Sequence, residues 1–194
     1  MKKRFKILIS MACMALTFAL LGYGVYAASS VKLSMTGTFT FTTGLYTAYK
    51  GEAWLSTSAA TSSTAVPSSG VTTVYGDNWT NTTNTGASIT APTSSSKSNG
   101  TMASWAPTFT FTETNKFVNI KITFYNYTTS VRTITVPTAP TITNVTVTWP
   151  TTALSMTAGS TASPTSVVWI ANFQVTSLQT AVSGSFSSKA FTIT

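Results

Sequence analysis

Glu52, Asp77 and Glu113 are the only carboxylate side chains in this 194-residue chain, so any acid–base chemistry falls to them. Glycoside hydrolysis needs two carboxylates facing each other across a bond. Glu52 and Glu113 can meet in a folded chain with Asp77 nearby, but no flanking pattern marks a cleft. Exposed acids at strand ends or in loops are the expectation. Histidine is absent, and the single cysteine is Cys13, near the N-terminus. A Ser-His-Asp triad therefore cannot be assembled, and the usual zinc ligands are missing. Ser-x-x-Lys occurs at Ser29–Lys32 and Ser94–Lys97. That spacing brings the two side chains together only on a helix, and neither segment has a helical period. No catalytic residue, metal ligand or cofactor site is expected, and an enzyme is not.

Aromatic side chains offer the other chemistry, stacking on sugar rings. Any of Trp54, Trp79, Trp105, Trp149 and Trp169 that is exposed could do so, but Trp149 and Trp169 sit in strand-like runs and read as core. Trp79, in the polar, turn-like Gly76-Asp77-Asn78-Trp79-Thr80, is the best candidate, with Tyr75 beside it. Threonine rows alternate with Phe, Val and Ile, and no fixed-period repeat builds a long flat threonine face. The Asn-x-Ser/Thr sequences at Asn78, Asn81, Asn99, Asn126 and Asn144 are explained by the abundance of threonine.

The elements that would position these residues follow a distinctive leader. Lys2, Lys3, Arg4 and Lys6 precede an apolar run from Ile7 to Leu21, and Val25-Tyr26-Ala27 supplies a signal-peptidase site. This is the layout of a secretory signal peptide, residues 1–27, helical in its apolar part, with cleavage between Ala27 and Ala28. The run is shorter than the roughly 20 residues of a spanning helix, so membrane contact is expected only through an uncleaved leader. Four of the 11 Lys and Arg belong to the leader. Seven then face three acids, a net charge of +4 after cleavage. These charges are scattered. No basic patch suited to nucleic acid is present, and stability must come from packing rather than disulfides.

Residues 28–194 are enough for one domain with its own core. Alternation with period two and β-forming residues prevail. From Val31 to Phe41 one face carries Val31, Leu33, Met35, Gly37, Phe39 and Phe41, and the other Lys32, Ser34, Thr36, Thr38 and Thr40. This predicts a half-buried strand. Val118 to Phe124 alternates likewise and, through a turn at 126–130, leads into Arg132–Val136, so the two runs read as a hairpin. Val145 to Trp149, Val167 to Val175 and Ser185 to Ile193 read as further strands. The expected fold is all-β, an antiparallel β-sandwich of jelly-roll or immunoglobulin-like type. Two Ser/Thr-rich stretches, near 56–70 and 80–100, are expected as long surface loops or mobile excursions.

The leader's end, Leu21-Gly-Tyr-Gly-Val-Tyr-Ala27, followed at once by a Thr-rich strand, resembles bacterial surface proteins with a TasA/camelysin-type leader, which a dedicated signal peptidase processes. Phe109 to Val136 also resembles exported sandwiches of anaerobic Gram-positive bacteria. Here Ala28-Ser29-Ser30 stands where such leaders are usually followed by an aromatic-Thr-Asp segment. The peptidase activity ascribed to camelysin does not carry over, because no His is present to hold a metal. The resemblance implies a secreted or cell-surface sandwich that serves as a matrix or fibre component in a Gram-positive-like bacterium.

A physical argument runs beside it. A strand at a free terminus, with Val31, Leu33, Met35, Phe39 and Phe41 on its apolar face, can pair within its own sheet or add to a neighbouring copy. A homo-oligomer or fibre is the first partner expected, and a cell-wall polymer or glycan the alternative. The function expected is that of a non-catalytic surface or extracellular-matrix protein, as in a biofilm, with an adhesive sugar-binding module as alternative.

Overall fold

The fold was analysed in a computed structural model, which describes residues 33–42, 47–77, 103–112, 114–160, 162–176 and 183–194. The leader, Ala27, Ala28, Val31, Trp79, Glu113 and the stretch near 80–100 lie outside the described residues. All regular structure among the described residues is β, in eleven strands that form two packed sheets. No helix among them is long and apolar enough to cross a membrane.

Sheet A contains β1 (Leu33–Thr42), β4 (Ala103–Trp105), β5 (Thr108–Phe111), β7 (Arg132–Thr135), β9 (Leu154–Met156) and β11 (Ser183–Ile193). Its order is β4-β1-β11-β7-β9, with β5 also on β1. Sheet B contains β2 (Thr47–Ser56), β3 (Val71–Asp77), β6 (Phe117–Asn126), β8 (Val145–Thr148) and β10 (Thr165–Val175), in the order β3-β2-β6-β10-β8. From β6 onward every successive strand changes sheet. The hairpin expected of Val118–Phe124 and Arg132–Val136 is therefore not formed: β6 pairs with β2 and β10, whereas β7 pairs with β11 and β9. Alternation looks the same in a hairpin and in a chain that crosses between sheets, because both bury every second residue.

The antiparallel expectation holds for every pair but one. β1 and β11, near the two ends of the chain, run parallel, with Thr36 beside Ser185 and Phe41 beside Phe191. Such pairing needs no local turn and leaves no short-range sequence signal.

Between the sheets lies a core of alternating residues. β6 contributes Val118, Ile120, Ile122 and Phe124, and β10 contributes Trp169, Ala171 and Phe173, all buried. Trp149 and Trp169 meet edge to face at 4.6 Å. Their indole N–H groups donate to the carbonyls of Pro137 (2.7 Å) and Pro150 (3.0 Å), so neither ring leaves an orphaned donor in the core. Glycines admit the largest rings. A side chain at Gly51 would meet the Trp105 ring and Val74 at 2.9 Å, so Trp105 reaches the β2 backbone only because nothing projects there.

The 57–70 connection between β2 and β3 is largely exposed but is held to sheet B, most closely at Ala60 and also where Asn119 Nδ2 and Lys121 Nζ donate to the Ser58 and Thr64 carbonyls. Ala60 is buried, and its N–H donates to the side-chain oxygens of Asn119 (3.0 Å) and Asn172 (2.9 Å). Asn172 Nδ2 returns a bond to the Ala60 carbonyl at 3.1 Å. Both asparagines stand on the outer face of sheet B. The connection is thus folded back across that face instead of projecting from it.

Candidate assembly strand and its groove

β1 is an interior strand. On one side it pairs with β11, from Ser34 to Thr42 with a bulge between Gly37 and Phe39. On the other it pairs antiparallel with β5 over Leu33–Thr36 and with β4 over Phe39–Phe41. Alternation turns Gly37, Phe39 and Phe41 toward the core, and all three are buried.

The groove receiving these side chains is aromatic. Phe41 stacks on Tyr49 at 3.9 Å and on Phe191 at 5.5 Å, and meets Phe124 edge-on at 6.2 Å. Phe39 lies between Trp105 (5.7 Å) and Trp149 (6.0 Å), with Phe186 edge-on at 5.5 Å. Phe186 passes over Gly37, where a Cβ would lie 1.7 Å from the ring tip. Ring pairs at these separations add about 0.5–1.5 kcal/mol each beyond area burial. The first of the described strands is thus among the best-packed elements, and four residues, 43–46, separate it from β2.

The other sequence-derived candidates are dispersed. Leu33 and Met35 lie on β1, opposite Phe111 and Phe109 of β5. Tyr75 lies on β3, opposite Lys50. Trp54, Trp105, Trp149 and Trp169 are all buried, so sugar stacking by a tryptophan would rest on Trp79. Glu52 is not the exposed strand-end or loop acid expected: it lies within β2, buried on the outer face of sheet B, its carboxylate 2.6 Å from Lys50 Nζ and in cross-strand register with Lys121. Asp77 closes β3, opposite Ala48. No cluster of three or more His, Cys, Asp or Glu that could hold a metal ion occurs among the described residues.

Two features escaped sequence reasoning. One is the Asn119–Ala60–Asn172 clamp, whose partners lie 59 and 112 residues apart. The other is the outer face of sheet A. On that face Thr36 lies between Thr108 of β5 and Ser185 of β11, and Thr192 lies beside Thr135 of β7. The rows arise across strands distant in sequence, so no repeat along the chain announces them. Comparison with known proteins finds no matching family model, no matching curated protein and no matching solved structure.

Proposed function

We propose that this chain is exported and, freed of residues 1–27, acts as a non-catalytic structural protein of the bacterial surface or extracellular matrix. Its copies are joined by exchange of β1. The observation that carries this reading is the position of β1. The strand following the leader fills an aromatic groove between β11 and the edge strands β4 and β5 of sheet A, and four residues separate it from β2. A terminal element with a short hinge can leave its own groove and fill that of a neighbour, forming the same contacts in trans. Repeated head to tail, such exchange is open-ended and yields a filament.

Composition supports the same reading, since the chain offers no histidine and, once exported, no cysteine. The architecture fits a β-sandwich of jelly-roll type, because strands that change sheet at every step from β6 to β11 suit interleaved Greek keys better than an immunoglobulin-like order. The test is electron microscopy of the secreted chain, purified from the medium of a Gram-positive host, over a range of concentrations. Concentration-dependent filaments are expected. A chain that stays monomeric throughout overturns the proposal.

A further inference from the structure

The groove of β1 does not treat every position alike. Phe39 and Phe41 enter pockets made of rings, whereas Gly37 lies beneath one. Phe186 stands opposite Gly37 across the parallel pair, and a Cβ built on Gly37 would overlap the tip and both neighbouring edge carbons of its ring. That ring is held on two sides. It stacks on Phe173 at 5.9 Å and meets Phe39 edge-on at 5.5 Å.

A bulge aims the ring. One residue of β1, Thr38, separates Gly37 from Phe39, but two of β11, Ser187 and Ser188, separate their partners Phe186 and Lys189. The extra residue lets Phe186 and Phe191 both pack on the core, where regular alternation would turn one of them outward. The ring then fixes the register of any strand that fills the groove. A slip of one residue turns Phe39 and Phe41 to the outer face. A slip of two keeps the facing but brings Met35 or Phe39, each with a Cβ, to the place of Gly37.

We propose that the groove, once open, is a sequence-selective receptor for a strand of the form Gly-x-Phe-x-Phe, and that Phe186 is the residue that selects it. Resting on strand exchange, this selection names what an open groove accepts: β1 of a second copy. Of the chain's 11 glycines, only Gly37 is followed by aromatic residues at both the second and the fourth position. Gly24, Gly44 and Gly184 have one at the second position, Tyr26, Tyr46 and Phe186, and none at the fourth. A strand such as β6, with Ile120, Ile122 and Phe124 on one face, presents a branched side chain where the groove admits none. Main-chain bonds to β11 on one side and to β4 and β5 on the other supply affinity for any extended segment, and the rings supply the choice. Phe186 acts chiefly by rejection, which is how close competitors are told apart. Every junction then has one register and one polarity, as a repeating assembly requires.

The test incubates the secreted chain with an excess of fluorescent peptide of the β1 sequence, Leu33–Thr42, and reads the peptide retained after gel filtration. A second peptide carries Gly37→Ala. The unaltered chain should retain the first peptide at least tenfold more than the second. Alanine is otherwise the better residue within a strand, so its rejection reads the ring and not the backbone. Phe186→Ala, its fold checked by circular dichroism, should retain the two peptides alike. Equal retention by the unaltered chain overturns the inference and leaves strand exchange standing, and that comparison needs no folded variant. Discrimination that persists in Phe186→Ala overturns it too, by assigning the choice to another residue. Retention of neither peptide by either chain overturns strand exchange and the selection together.

Discussion

Phe41→Ala probes the groove and the exchange mechanism together. The ring is fully buried and touches Tyr49, Phe124 and Phe191. Truncating a buried phenylalanine removes its transfer free energy and leaves a cavity, costing about 3–5 kcal/mol. The lower end applies if Tyr49, stacked at 3.9 Å, relaxes into the space. Against the roughly 5–15 kcal/mol of a typical domain this is a large loss. Urea titration followed by tryptophan fluorescence reads it as a lower midpoint at constant slope. Its effect on assembly has a particular form. An exchanged strand makes the same contacts in trans, so the substitution weakens the closed monomer and the exchanged junction equally. If β1 leaves its groove before the rest of the domain unfolds, the open population rises by roughly 10²- to 4 × 10³-fold (about 1.4 kcal/mol per tenfold). Exchange between preformed filaments should accelerate, while the filament fraction at equilibrium changes little. A destabilisation below about 1 kcal/mol would refute the packing argument. Unchanged exchange kinetics in a destabilised variant would refute the opening route.

Gly37→Ala forces the Phe186 ring off Gly37 and away from Phe39 and Phe173, so a loss of about 1–3 kcal/mol is expected in the same titration. Adding Phe186→Ala should make the two losses less than additive, which a double-mutant cycle measures. Asn172→Ala removes two of the three bonds that hold Ala60, costing about 1–3 kcal/mol. Limited proteolysis should then cut within 57–70 while the two sheets stay protected. Glu52→Gln takes the charged partner from Lys50 at a mostly buried position and should cost about 1 kcal/mol, falling as salt is added. Trp79→Ala should leave filament formation intact; glycan-array binding that disappears in this variant would favour the sugar-binding alternative instead.

Where burial alternates along one strand, the sequence was readable. Phe39 and Phe41 of β1, the Val118–Phe124 face of β6, and Trp169 on β10 were all expected on apolar faces, and all are buried. What was not legible is pairing at a distance. Period two fixes the buried face of β6 and of β7 but not the sheet each joins, so a crossing read as a hairpin. The parallel junction of β1 with β11 joins opposite ends of the domain. Ala60 is one alanine in a polar run, and only Asn119 and Asn172 brought over it give it a role. The hydroxyl rows of sheet A follow the same rule, because each row takes its residues from two or three strands.

A disulfide that locks β1 into its own groove tests strand exchange most directly. Thr36 and Ser185 are adjacent across the parallel pair, and strands about 4.7–4.9 Å apart fall within the Cα range a disulfide spans. With both replaced by cysteine in the proposed exported form, residues 28–194, which lacks Cys13, no competing thiol is present. The account predicts no filaments from the oxidised chain and filaments once the bond is reduced. Filaments from the oxidised chain, with the intrachain bond verified by mass spectrometry, would contradict it.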